Sequence, residues 1–283
     1  MGTDKRERQK QARRERQAAE AAVEQRASRA RGLRRFGILA AIVAVVIVGY
    51  ALLAGGGDDG GSSDTAETAT SDDPTEAPQG PVFATYTDED FGTGDCPPEA
   101  GVADPVIDFD DAPARCIEPG EPLTAVFDTS EGEVRVALDT QNTVGTANNF
   151  ATLARYGYYD ETDVFRTDPS IGILQAGAPH TNSAADPGPG YTIRDEGVGF
   201  TYEPGQLVMA RTGAVNSSSA QIFFTAGEEA AALNGQGTYV VFGEVETGLD
   251  VVQAILGLHQ DQEGNALGGA PSRTVTINSV TIE

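Results

Sequence analysis

The chain has 283 residues, 39% of them hydrophobic, and a formal net charge of −24. That length allows one or two folded domains, but the charge excludes a uniformly acidic protein. Met1–Arg35 carries twelve Lys and Arg against five Asp and Glu, whereas the rest of the chain carries seven Arg, no Lys and 38 acidic residues.

The first segment, 1–35, reads as a basic tail. Residues 4–31 are strong helix formers without Pro or interior Gly and almost without an apolar stripe, so a solvated helix beside anionic lipid is expected. Its interspersed Glu and the neighbouring apolar run speak against a nucleic-acid partner. That run, Phe36–Ala54, is nineteen residues without a charge. At 1.5 Å per residue it spans about 28 Å, the hydrocarbon thickness of a bilayer. GLRR precedes it and GGGDDGG follows, so the expected topology is a single-pass membrane anchor, N-terminus in the cytoplasm and C-terminal part outside. Tyr50 suits the outer interface. A cleaved signal peptide is the competing reading, against which stand the 35-residue charged region and the long apolar core.

Residues 55–95 read as an acidic linker, disordered because the Gly, Ser, Thr, Asp, Glu and Pro of its first part cannot bury enough apolar surface to offset ordering. A segment at 96–122 holds both cysteines, Cys96 and Cys116. Beyond a membrane, two cysteines favour a disulfide, and no His lies near enough in sequence to complete a metal site.

The domain proper is expected over 123–283. LTAVFDTSEGEVRVALD alternates around Ser130-Glu131-Gly132 and reads as a hairpin. A helix is expected over 146–157, stopped by Gly157, and a second over 249–258. Short strands are expected near 163–166, 171–176, 206–211, 221–225 and 239–246, and a closing strand in RTVTINSVTIE. Many short strands with two helices and no βαβ alternation predict a mainly β barrel or sandwich capped by helices.

The catalytic inventory is sparse. His180 and His259 are the only histidines, neither sits in a nucleophile–base or metal-ligand motif, and no metal or cofactor is expected. Against that background NNFATLARYGYYDETDVFR (148–166), LQAGAP (174–179), GPGYTIRDE (188–196), LVMARTG (207–213), QIFFTAG (221–227) and LNGQGTYVVFGEVETGLDVVQAI (233–255) resemble the cyclophilin-type peptidyl-prolyl isomerases. The resemblance runs from Thr124 to Ile282 in family order, and with its membrane-anchor preface the chain is similar to the anchored actinobacterial type.

The resemblance implies a closed eight-stranded β-barrel with a helix at each end and cis/trans isomerisation (rotamase activity) of X–Pro bonds in proline-containing polypeptides, assisting folding outside the membrane. It implies catalytic roles for Arg166 and Gln175. Substrate contacts fall to Ile173, Met209, Ala210, Arg211, Gln221, Phe223, Leu233 and Tyr239. Phe165, Gly172 and Arg211 depart from the usual residues, and Ala232 stands where some members carry Trp. A catalytically weak proline-binding or chaperone module is the alternative.

Overall fold

The computed structural model describes residues 80–262 and 267–283. The basic tail, the apolar run expected to span the membrane and the linker through residue 79 lie outside the described residues. Among the described residues no helix is long and apolar enough to cross a membrane.

The fold begins with a strap, residues 80–122, carrying strand β1 (Val82–Phe83) and a 3-10 turn at Asp88–Asp90. The expected hairpin follows as β2 (Thr124–Thr129) and β3 (Gly132–Leu138), its corner tied by Gly132 N–H donating to Thr129 Oγ1 at 3.1 Å. Helix α1 (Val144–Arg155) comes next, then β4 (Thr162–Asp163), β5 (Arg166–Asp168), β6 (Ile173–Ala176), β7 (Gly197–Val198), β8 (Gln206–Met209) and β9 (Ile222–Thr225). The chain closes with β10 (Val241–Thr247), helix α2 (Leu249–Gly257), β11 (His259–Asp261), β12 (Gly269–Pro271) and β13 (Thr276–Ile282).

Eleven of these strands form one curled sheet in the order β11-β12-β5-β6-β9-β8-β10-β3-β2-β13-β4, while β1 pairs with β7 apart from it. The excess over the eight strands expected has two causes. The strand expected at 163–166 is divided into β4 and β5, and β11–β12 adds a short hairpin at one edge. The division is physical: β4 pairs with β13 and β5 with β6, although only Val164 and Phe165 separate them. Val164 N–H donates to Val275 O (2.9 Å) and Phe165 N–H to Gln175 O (3.1 Å), so one stretch of chain serves both flanks of the sheet. Thr162 and Val164 are buried, then Phe165 and Arg166 are both half-exposed before Thr167 is buried again. That is a one-residue slip in the inside–outside alternation where the chain changes partners, and it turns Arg166 outward.

The core is aromatic. Phe150 of α1 sits among Phe127 (5.9 Å between centroids), Tyr159 (5.1 Å) and Phe242 (5.2 Å), with Phe224 5.1 Å from Phe127. Helix α1 packs on β10 and β13, and α2 on β3 and β6. The first turn of α1 is finished from outside: Gly145 and Thr146 N–H donate to the fully buried Glu196 carboxylate at 2.8 and 2.5 Å. Burial pushes the Glu196 pKa up, and these donors only partly offset it.

The strap corrects the linker boundary, because residues 80–95 are folded onto the domain. Val82 and Phe83 pair with Val198 and Gly197. The Tyr86 ring lies against Gly145, where a Cβ would come within 2.3 Å of Tyr86 Cζ, so only glycine admits it. Farther on, Asn148 Oδ1 accepts Cys116 and Ile117 N–H (2.7 and 3.2 Å), and Cys96 and Cys116 form the expected disulfide. Asp108 and Asp186 flank His180 at 3.0 and 3.2 Å, joining the strap to the 178–188 loop. Desolvation lowers the imidazole pKa, but the two carboxylates together outweigh it and hold it above the ordinary value.

Candidate active site

Three strands carry the site in a row. Arg166 of β5 stands opposite Gln175 of β6, and Gln175 opposite Phe223 of β9. Directly opposed residues of an antiparallel sheet share a face, so this register alone places the three side chains together.

Arg166 is held by acceptors on three sides. Nη1 donates to Gln175 Oε1 (3.0 Å), Nη2 to Asp168 Oδ2 (3.0 Å) and Nε to Leu267 O (2.5 Å). Gln175 is 7% exposed and passes the orientation on, its Nε2 donating to Gln221 Oε1 at 2.8 Å. The amide is therefore ordered from both ends. Asp168 escapes sequence inspection, although its signal is there: two residues beyond Arg166 on one strand, it faces the same side.

Beside this polar row lies an apolar cluster. Phe223 meets Tyr239 edge to face (centroids 5.6 Å, 86°), and Ile173 and Leu233 are buried. Tyr202 fixes Tyr239 by accepting its N–H (2.9 Å) and donating to its carbonyl (3.0 Å). Burial pushes the Tyr202 pKa up to about 12, so the hydroxyl keeps the proton it donates. Met209 is fully buried with its N–H donating to Val240 O, and it supports the strand rather than facing outward. Ala210 is half-buried, its N–H donating to Gln221 O at 2.8 Å.

The departures acquire reasons. Gly172 adopts φ 57°, and a Cβ there would stand 3.0 Å from Gly227 O, so any side chain at this position, an aromatic wall included, is strained. Ala232 is exposed and adds no wall on the far side. The Arg211 guanidinium is engaged by Asp195 at 3.0 Å. His259 does meet a hydroxyl and a carboxylate, Thr167 Oγ1 at 2.9 Å and Asp261 Oδ1 at 3.1 Å. Thr167 is fully buried, so this chain of bonds ties β11 to β5 and offers substrate no nucleophile. Among the described residues no group of three or more His, Cys, Asp or Glu could hold a metal ion.

A fixed arginine and glutamine thus stand beside an aromatic pair on a curled antiparallel sheet. Residues 124–282 match the family described as cyclophilin type peptidyl-prolyl cis-trans isomerase/CLD, and the chain belongs to that family of isomerases. It is 36% identical over 130 residues to peptidyl-prolyl cis-trans isomerase B of Bacillus subtilis (strain 168), covering 45% of this chain and 86% of the relative. To peptidyl-prolyl cis-trans isomerase B of Escherichia coli (strain K12) it is 31% identical over 165 residues, covering 55% of this chain and 97% of that one. Among solved structures, a Cryptosporidium parvum cyclophilin type peptidyl-prolyl cis-trans isomerase aligns at TM-score 0.47 and 22% identity, over 57% of this chain and 98% of that one.

Proposed function

We propose that this protein rotates X–Pro bonds in polypeptides folding outside the cytoplasmic membrane, with Arg166 and Gln175 as catalytic residues. The observation that carries the reading is the Arg166–Gln175 hydrogen bond, 3.0 Å long, beside the Phe223–Tyr239 socket. Amide resonance opposes rotation with a barrier of about 18–20 kcal/mol. No bond to a heavy atom breaks, so catalysis requires only that the twisted amide be held better than either planar isomer. Phe223 receives the proline ring, with Ile173, Leu233 and Tyr239 around it and Ala210 and Gln221 along the peptide backbone. Arg166 donates to the prolyl nitrogen as its lone pair leaves conjugation, and Gln175 and Asp168 hold the guanidinium at that point. On this reading the curled sheet is a closed eight-stranded barrel, bridged from β13 to β6 by residues 162–168. Residues 36–54 anchor it in the bilayer with the N-terminus cytoplasmic; the Cys96–Cys116 bond supports an oxidising compartment.

A second reading, a tethered proline-binding chaperone with weak catalysis, is favoured by the thin wall at Gly172 and Ala232. One assay separates the two: cis–trans exchange of an Ala-Pro peptide with the full-length protein in detergent. Wild type should accelerate exchange and Arg166→Ala should lose on the order of 10²–10³-fold. No acceleration by wild type overturns the enzyme reading, and equal acceleration by both proteins overturns the role of Arg166. Protease added to spheroplasts should remove the C-terminal domain; full protection contradicts the topology.

A further inference from the structure

At the edge of the proposed socket three stretches separate in sequence, 193–196, 210–218 and 238–239, meet at Arg211. Its side chain is 8% exposed and that of Asp195 15%, with Nη1 3.0 Å from Asp195 Oδ2. Nη1 also donates to Thr238 O (3.3 Å) and Nη2 to Ala214 O (2.5 Å). Asp195 Oδ2 accepts Asn216 N–H at 2.9 Å, and Asp195 N–H donates to Asn216 Oδ1 at 3.0 Å. Ala210 precedes the arginine on one side of the rim, and Tyr239 follows Thr238 on the other.

Stability is not what this pair supplies. Arg211 Nε and Asp195 Oδ1 are buried without a hydrogen-bond partner. A buried ion pair with such orphaned atoms returns much of its Coulombic gain as desolvation. What the pair does supply is geometry, because a planar guanidinium satisfies acceptors only at fixed positions. We propose that Arg211 is a positioning residue: latched to Asp195, it sets the gap between Ala210 and Tyr239 and with it the affinity for the segment flanking proline. The proposal rests on the isomerase reading of the socket. Arg166 and Gln175 lie on β5 and β6, outside the latch, so its loss falls on KM rather than kcat.

The test is the double variant Asp195→Asn/Arg211→Met in the full-length protein, which removes both charges while leaving an acceptor for Asn216. NMR titration with an Ala-Pro peptide gives the dissociation constant, and exchange at saturation gives the catalysed rate. Binding should weaken on the order of tenfold, with the saturated rate and the thermal midpoint close to wild type. Arg211→Lys, a single ammonium that reaches Asp195 but not both carbonyls, should fall between. Wild-type affinity in the double variant overturns the proposal, as does a loss confined to the saturated rate. If the double variant fails to fold, Arg211→Lys decides by the same two outcomes. A wild type that binds without accelerating exchange overturns the isomerase reading and leaves affinity to judge the latch; one that does not bind overturns both.

Discussion

Gln175→Leu isolates one bond of the site. Leucine nearly conserves volume at a position 7% exposed, so the strand register and the packing beneath should survive. What is lost is the acceptor for Arg166 Nη1 at 3.0 Å and the donor to Gln221 Oε1 at 2.8 Å. A hydrogen bond to a charged group contributes about 1.5–3 kcal/mol, and each 1.36 kcal/mol is tenfold in rate, so kcat/KM should fall roughly 10- to 150-fold. Asp168 and the Leu267 carbonyl still hold two edges of the guanidinium, which places the expected value in the lower half of that range. The assay is peptide exchange by NMR, with thermal unfolding run alongside. An unchanged kcat/KM at unchanged thermal midpoint refutes the reasoning, because Gln175 would then hold nothing the reaction uses.

Three further outcomes concern the scaffold. His180→Gln should remove a pH-dependent contribution: with the folded-state pKa raised, the stabilisation is full below about pH 6.5 and is lost as pH rises through the folded value. The difference between wild-type and variant thermal midpoints should therefore shrink from pH 5.5 to 8; a constant difference would show that the Asp108–His180–Asp186 contact carries no proton linkage. Gly172→Ala places a side chain at φ 57° and should destabilise by about 1–2 kcal/mol from the left-handed conformation alone, measured by urea unfolding. Reducing the Cys96–Cys116 bond, which spans a sequence separation of 20, should cost about 3 kcal/mol in the loop-closure account, read as a lower midpoint with reductant.

Most of the sheet is legible in the sequence because alternation and turn residues act locally. The hairpin of β2 and β3 falls where the pattern around Ser130–Gly132 puts it, α2 ends one residue early, and α1 starts at Val144 rather than 146. The strap is not legible by periodicity. Its backbone is held by partners distant in sequence, such as Asn148 for Cys116 and Arg155 O for Val102 N–H, and irregular chain of this kind has no repeat to detect. Composition carries a signal: Phe83, Tyr86 and Phe91 appear just where the aromatic-free stretch ends, and Tyr86 and Phe91 meet edge to face at 5.0 Å. In the site, Arg166 and Gln175 are legible from family resemblance, whereas Asp168 and the Asp195–Arg211 latch depend on which strand lies beside which. The anchor, the tail and the linker through 79 lie outside the described residues.

The seam at Val164–Phe165 places Arg166 at the point where one strand changes partners. A residue inserted there would send the guanidinium toward the core and leave a neighbour in its place. The 3-10 turn Pro169–Ile171 with Gly172, between β5 and β6, is different, since length added there leaves Arg166 opposite Gln175. Descent can therefore lengthen that turn while Arg166 and Gln175 stay opposed, so the surroundings of the pair can change without disturbing its register.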